Sequence, residues 1–336
     1  MRSCLGLLGR GNARVSVASR REFLKTLSAI PLAGTQTLAE RRLRAAVLIT
    51  MLPEKLPYEA RFAMARAAGF DAIEMRTVSR DEEAAEILEA SRRTGLRIHS
   101  VMNVDHWEFP LSSADSSIVN RSVAGMETSL RNAALWGADA VLLVPAVVDA
   151  RTSYRDAWDR SQRVIKERLE PAARERRIII AVEEVWNKFL LSPIEFSRYV
   201  DECASPWVKA YFDVGNVVFY GYPQDWIRTL GSRIVKIHLK DFHLDRPNGR
   251  FEWKNLGEGE IDWAAVRQAL IDIQYSGYVT TELAGLLPSM KTLKLFPPPL
   301  LGTTPPLQLP ALFQLPAPPF HVAFTFAAAA TPTEVA

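Results

Sequence analysis

Residues 207–241 read WVKAYFDVGNVVFYGYPQDWIRTLGSRIVKIHLKD, and this stretch decides the fold class. It contains two short apolar runs, VKAYF and RIVKI, which end at the metal-capable side chains of Asp213 and His238. Residues 222–230 between them can form a short helix. A strand, a helix and a second strand of this kind form a unit with parallel strands. Because ligands bind at the carboxyl ends of such strands, we expect Asp213 and His238 to lie side by side at one mouth.

The same alternation recurs along most of the chain. Helical patterns such as residues 81–94, which stop at Gly95, separate short runs of apolar and β-branched residues. The predicted strands cover residues 45–52, 70–75, 96–102, 138–144, 178–183, 208–212, 233–237 and 277–283. Eight strands with seven intervening helices are typical of a (β/α)₈ barrel, the TIM barrel fold of the α/β class.

The barrel is predicted to occupy residues 41–286 and to be followed by an unusual tail at residues 287–336. This tail contains the run PPPLLGTTPPLQLPALFQLPAPPF and is almost uncharged. Each internal proline destabilises a helix by about 3 kcal/mol, so the closing eighth helix of the barrel is expected to be missing or replaced. The tail is interpreted as a disordered, low-complexity segment. It is either a proline-rich linker that binds a partner or a substitute for the native end of the chain.

Residues 1–40 are interpreted as a targeting segment outside the fold. Residues 19–25 read SRREFLK and precede a modest apolar stretch, which resembles a twin-arginine export signal. The alternative is an amphipathic helix that begins the domain. The apolar stretch is interrupted by Pro31 and Gly34 and is too short for a stable membrane span. We therefore expect export to the periplasm or another extracytoplasmic space, and a cytoplasmic location if the signal is not used.

Composition narrows the functional classes further. The formal net charge is +3, and much of the basic excess lies before residue 45, so the barrel offers no basic surface suited to nucleic acid. The two cysteines, Cys4 and Cys203, exclude a disulfide framework and a cysteine zinc site. An oligomer stays an open alternative. The expected partner is a small molecule bound at the mouth of the barrel.

Acidic or imidazole side chains end the last four predicted strands. They are Glu183, Asp213, His238 and Glu282. Each alone is more often a turn, core or solvated residue, but burying all of them without a cation would be unfavourable by several kcal/mol. Three carboxylates and one imidazole suit Mn²⁺, Co²⁺ or Mg²⁺, with Zn²⁺ as a further candidate. Glu184 is the alternative ligand on the fifth strand.

The motifs VEEVWNKFLLSP, YFDVGNV, VKIHLKDF, LGEGEIDW and GYVTTEL resemble the xylose isomerase-like superfamily of sugar and sugar-phosphate isomerases and epimerases. The resemblance covers residues 44–284 and is greatest to the ketose 3-epimerases. It implies that the four strand-end residues hold one divalent metal ion. It also implies that Glu183 and Glu282 transfer a proton next to the carbonyl of a ketose or keto-sugar through a metal-stabilised enediolate.

Substrate contacts are predicted around the same mouth. The loop SVMNVDHWEFPLSS resembles the third-strand loop of the family, whose histidine contacts substrate. The candidates are His106, Trp107, Glu74, Lys240 and Arg250, the last two as contacts to a phosphate if the substrate carries one. Export favours an unphosphorylated sugar, because sugar phosphates are mostly confined to the cytoplasm.

Rival functions are a metal-dependent keto-sugar or inosose lyase or dehydratase, and a binding-only barrel. An apurinic endonuclease is disfavoured, since five histidines are too few for its trinuclear site.

The export hypothesis predicts that residues 1–45 direct a folded reporter protein across the membrane. Replacing Arg20 and Arg21 with lysine should abolish export, whereas the same change at Arg41 and Arg42 should not. Cell fractionation measures the outcome, and a wild-type fusion that stays in the cytoplasm would contradict the hypothesis.

Overall fold

The computed structural model describes residues 43–283. Within them, eight parallel strands close into a barrel. The barrel strands are β1 (Arg44–Leu48), β2 (Ala72–Arg76), β3 (Arg97–Met102), β4 (Ala140–Leu143), β5 (Ile179–Glu183), β6 (Val208–Asp213), β7 (Ile234–Leu239) and β10 (Tyr278–Thr281). Around the ring their order is β1-β10-β7-β6-β5-β4-β3-β2, so barrel strands consecutive in the chain are neighbours. The predicted TIM barrel is confirmed.

Helices cover the outside of the barrel. They are α1 (Tyr58–Ala67), α2 (Asp81–Thr94), α3 (Ser116–Trp136), α4 (Tyr154–Val164), α5 (Glu170–Arg176), α6 (Pro193–Glu202), α7 (Pro223–Leu230) and α8 (Trp263–Asp272). Across residues 43–283, no helix combines the length and apolar character needed to cross a bilayer. The predicted targeting segment, the proline-rich tail and the place of a closing eighth helix lie outside the described residues.

One predicted helix is divided in the structure. The sequence pattern predicts a single helix over residues 154–176, but a π-helical turn at Ile165–Leu169 separates α4 from α5. Pro171 lies in the first turn of α5 and has no backbone N–H to donate to the preceding turn. The wider turn therefore occurs where the regular helical hydrogen bonds are interrupted.

Local signals set the ends of several helices as predicted. Ser192 accepts a hydrogen bond from the backbone N–H of Glu195 at the start of α6, and Asp262 accepts one from Ala265 at the start of α8. Gly95 ends α2 in the left-handed region with φ of 66°. These caps fix where each helix begins or ends, and hence how the strands between them enter the barrel.

A two-stranded excursion follows β7 and was missed by the sequence pattern. The antiparallel strands β8 (Asp241–Asp245) and β9 (Arg250–Lys254) pair Phe242 with Trp253 and Leu244 with Phe251. Apolar and charged residues alternate along both strands, so one face of the hairpin is aromatic. That face packs on Trp186 in the loop after β5, whose ring stacks on Trp253 with centroids 5.0 Å apart.

Asp241 anchors this hairpin to the barrel. Its side chain is fully buried. Oδ2 accepts hydrogen bonds from the backbone N–H groups of Gly257 (2.7 Å) and Gly259 (3.1 Å) and from Nε1 of Trp263 (3.0 Å). One carboxylate thereby joins the start of β8, the GEGE loop and the start of α8.

Replacing Asp241 with alanine should lower the free energy of unfolding by at least about 3 kcal/mol, because three donors lose a buried charged acceptor. Asp241→Asn, which keeps one acceptor oxygen, should lower it less. Asp245→Ala at the outer end of β8 is the matched control and should cost under about 1 kcal/mol. Urea denaturation followed by tryptophan fluorescence measures all three, and equal stabilities for the two alanine variants would contradict this role of Asp241.

Candidate metal centre

The predicted ligands converge at the mouth of the barrel. They are Glu183, Asp213 and His238 on β5, β6 and β7, and Glu282 directly after β10. One potential ligand atom from each lies within 4.8 Å of every other. Nδ1 of His238 is 2.8 Å from Oε1 of Glu183 and 2.7 Å from Oε2 of Glu282. Parallel strands bring together residues that are far apart in the chain, because all four strands end at the same edge.

Asp213 divides its two carboxylate oxygens between the backbone and the cluster. Oδ1 accepts hydrogen bonds from the backbone N–H groups of Gly215 and Asn216, both at 2.8 Å. Oδ2 faces the other ligands and lies 3.9 Å from Nδ1 of His238. A Cβ atom at residue 215 would lie 2.5 Å from the Cβ atom of Lys240, so any side chain in place of Gly215 would overlap Lys240. The Asp-Val-Gly-Asn turn therefore holds the carboxylate in place.

Glu184 has a supporting position beside the cluster. Its Oε1 accepts the backbone N–H of Asp213 at 2.8 Å. Glu183, rather than Glu184, contributes an oxygen to the group of potential ligands. Glu183 is the last residue of β5 and Glu184 directly follows it, and adjacent residues of an extended chain point to opposite sides.

The buried charges of the cluster perturb one another. Burial raises the pKa of Glu183 to about 7, although the nearby His238 opposes this shift. Burial acts in the same direction on Glu282, but the cations of Lys240 and His238 outweigh it and hold its pKa well below the usual value. For His238, burial disfavours the charged form, yet the surrounding carboxylates raise its pKa well above the usual value.

Lys240 is paired with the ligand carboxylates. Its Nζ lies 2.6 Å from Oδ2 of Asp213 and 3.0 Å from Oε2 of Glu282. The side chain is only 12% exposed. Its ammonium group therefore faces two carboxylates inside the mouth, and its contact with a substrate phosphate stays a prediction.

His106 and Trp107 lie together in the loop after β3. His106 is 3% exposed, and its Nδ1 accepts the backbone N–H of Val144 at 3.4 Å. Burial lowers the pKa of His106 to about 4, which keeps the ring neutral at physiological pH. Trp107 is 55% exposed and packs edge-on against His106, with centroids 5.5 Å apart.

Two predicted substrate contacts lie elsewhere. Glu74 is fully buried inside the barrel, where its Oε2 is 2.7 Å from Nε2 of His238, on the ring edge opposite Nδ1. Arg250 begins β9 opposite Asp245, at the turn end of the hairpin, and is exposed. A substrate contact by either residue stays a prediction. Glu74 is separated from the mouth by the imidazole of His238, and Arg250 is carried outward by a hairpin that was not foreseen.

The donor set fits a divalent cation. Three carboxylates and one imidazole nitrogen within 4.8 Å of one another supply the hard oxygen ligands and the single nitrogen expected for Mn²⁺, Co²⁺, Mg²⁺ or Zn²⁺. The same carboxylates would repel one another without nearby positive charge.

The fold and this cluster define a TIM barrel with a carboxylate–histidine centre at its mouth. The xylose isomerase-like TIM barrel family matches residues 62–294. The chain belongs to this family, which confirms the predicted relationship.

Several relatives match most of the chain. L-ribulose-5-phosphate 3-epimerase UlaE of Escherichia coli O157:H7 is 26% identical over 66% of this chain and 81% of its own length. The structure of D-allulose 3-epimerase from Methylomonas sp. has a TM-score of 0.61 at 20% identity, covering 72% of this chain and 84% of that one. The structure of 3-keto-D-glucoside 4-epimerase YcjR from E. coli has a TM-score of 0.61 at 16% identity, covering 75% and 95%. These relatives are sugar epimerases, in agreement with the predicted enzyme class.

The site includes supporting residues that the sequence analysis did not single out. Tyr211 donates a hydrogen bond to Oε2 of Glu74 at 2.8 Å, and Asn216 joins Trp186 to the Asp213 turn through its backbone carbonyl, 2.9 Å from Nε1 of Trp186. Of these residues, only Tyr211 could have been found from the sequence. It lies two residues before Asp213 on β6, and side chains two apart in a strand lie on the same face of the sheet.

Metal affinity should fall as the pH drops through about 7. Burial raises the pKa of Glu183 to about 7, and a cation must displace the proton that this carboxyl holds at lower pH. One displaced proton predicts Mn²⁺ binding about tenfold weaker near pH 6 than near pH 8, and proton release from His238 would steepen the change. Isothermal titration calorimetry with MnCl₂ measures it. Equal dissociation constants at the two pH values would contradict the prediction.

Proposed function

We propose that the protein is a divalent-metal-dependent epimerase or isomerase that moves a proton on the carbon beside the carbonyl of a ketose or keto-sugar. The observation that carries this proposal is the placement of Glu183 and Glu282, both within 2.8 Å of Nδ1 of His238. The family and the epimerase relatives support the reaction class.

The two glutamates flank the place that a substrate would occupy. Their strands, β5 and β10, are separated in the ring by β6 and β7, so the carboxylates approach the mouth from different sides. Glu183, Asp213, His238 and Glu282 would hold the metal ion, which supplies polarisation of the substrate carbonyl and so acidifies the neighbouring C–H bond.

The two glutamates are proposed to share the proton transfer, because they approach the substrate from different sides of the mouth. Glu282, which Lys240 and His238 hold in its ionised form, is the carboxylate that removes the proton. Glu183, on the other side, is the group that returns a proton. Delivery to the opposite face of the same carbon gives epimerisation, and delivery to the neighbouring carbon gives isomerisation.

His106 and Trp107 are proposed to orient the sugar. With Nδ1 of His106 accepting from Val144, the neutral ring carries its hydrogen on Nε2, which can donate to a substrate oxygen. The exposed ring of Trp107 offers an apolar face to the C–H groups of a sugar. Replacing the aromatic side chain of His106 or of Trp107 should therefore weaken substrate binding more than metal binding.

The substrate is proposed to be unphosphorylated. Lys240 faces the carboxylates of Asp213 and Glu282, and Arg250 lies at the turn end of the hairpin. The twin-arginine-like segment supports the same choice, since an exported enzyme would meet free or oxidised sugars. The named relatives act on both kinds of sugar, so the comparisons leave this choice to experiment.

Deuterium uptake from heavy water into recovered ketose tests the reaction. Glu183→Gln and Glu282→Gln should each lower exchange by roughly 10²- to 10⁴-fold, because each removes a general acid or base. Metal content measured on the same samples shows whether exchange is lost while metal is retained. Glu89→Gln on the outer face of α2 is the matched control and should leave exchange unchanged.

Matched free and phosphorylated ketoses complete the experiment. Exchange unaffected by either glutamine variant would overturn the proton-transfer roles. A strong preference for the phosphorylated sugars would overturn the substrate proposal. Loss of water from the substrate, detected by mass spectrometry, would instead favour a lyase or dehydratase.

A further inference from the structure

Glu74 lies inside the barrel on the far side of the metal-ligand histidine. It projects from β2 and is fully buried, as is His238. Since β1 and β10 separate β2 from β7 in the ring, the contact between Glu74 and His238 crosses the barrel interior. Oε2 of Glu74 is 2.7 Å from Nε2 of His238. The other ring nitrogen, Nδ1, faces the carboxylates of Glu183 and Glu282.

We infer that Glu74 is a positioning residue that holds His238 with Nδ1 directed at the metal. A histidine binds a metal ion through a nitrogen that carries no hydrogen, and its second nitrogen then carries one that needs an acceptor when buried. Among the described residues, the carboxylate of Glu74 is the acceptor in contact with Nε2. The pair therefore selects both the ring orientation and the nitrogen that coordinates.

Neighbouring side chains hold Glu74 itself. The hydroxyl of Tyr211 donates to Oε2 of Glu74 at 2.8 Å, and the Tyr211 ring also packs against the imidazole of His238 with centroids 4.3 Å apart. The same hydroxyl lies 3.2 Å from Oγ1 of Thr280, which is 3.1 Å from Nε2 of His99. These buried polar groups form a connected chain of contacts that holds the carboxylate of Glu74 in place.

A purely structural role for Glu74 explains the geometry less well. A fully buried carboxylate destabilises the fold unless its charge is paired or hydrogen-bonded. An apolar residue of similar size would fill the barrel interior without this desolvation penalty. Oε1 of Glu74 has no hydrogen-bond partner within residues 43–283. The contacts that Glu74 does make are directed at His238 and at the tyrosine that packs on it.

This inference rests on the proposed function only in so far as His238 binds a metal ion. Calorimetry with MnCl₂ alone, without any sugar, tests it. We expect Glu74→Gln to raise the Mn²⁺ dissociation constant by about 10- to 100-fold, because the neutral amide holds the ring less firmly and can itself donate to Nε2. Glu170→Gln removes another buried carboxylate, on α5, and should leave the constant unchanged.

Nitrogen-15 NMR of histidine-labelled protein loaded with Zn²⁺ gives a second readout that needs no variant. The wild-type protein should show His238 with hydrogen on Nε2 and zinc on Nδ1. Coordination through Nε2 would overturn the inference, as would a Glu74→Gln variant that binds Mn²⁺ like the wild type. If the wild type binds no metal, the metal centre itself fails. If it binds metal without catalysing exchange, only the proposed reaction fails.

Discussion

Negative charge buried at the carboxyl ends of β5, β6, β7 and β10 is the constraint on which the site depends. Three carboxylates share a small volume with one imidazole, and one potential ligand atom from each of these four residues lies within 4.8 Å of the others. Lys240 contacts two of the carboxylates. Such a group is stable only when positive charge lies among the oxygens. His238 and Lys240 supply part of that charge, and a divalent cation would supply more.

The same constraint accounts for the hydrogen bonds around the ligands. Asp213 directs one oxygen to the backbone of its own turn and the other to the cluster, so it is at once a turn residue and a candidate ligand. His238 is held between ligand carboxylates on one edge and Glu74 on the other. Because Asp213 and His238 are each fixed by a contact outside the cluster, these two candidate ligands are preorganised for a cation.

Beyond the ligands, aromatic and acidic residues join the loops of the mouth. Trp186 contacts the hairpin through Trp253 and the Asp213 turn through its hydrogen bond to the carbonyl of Asn216. Asp241 ties the start of β8 to the GEGE loop and α8. The loops after β5, β6 and β7 therefore form one packed unit, and a disturbance at the hairpin can reach the candidate ligand Asp213.

The sequence by itself determined the barrel and the four strand-end residues. Apolar runs alternating with capped helices specify parallel strands, and the carboxyl ends of such strands must meet at one edge, so Glu183, Asp213, His238 and Glu282 could be grouped without coordinates. Only the tertiary structure decided the positions of Glu74, Lys240 and Arg250. Contacts across the barrel depend on strand register and side-chain direction, which join residues as distant in the chain as 74 and 238. The short β8–β9 hairpin also escaped the pattern, because its stability comes from packing on Trp186 rather than from its own ten paired residues.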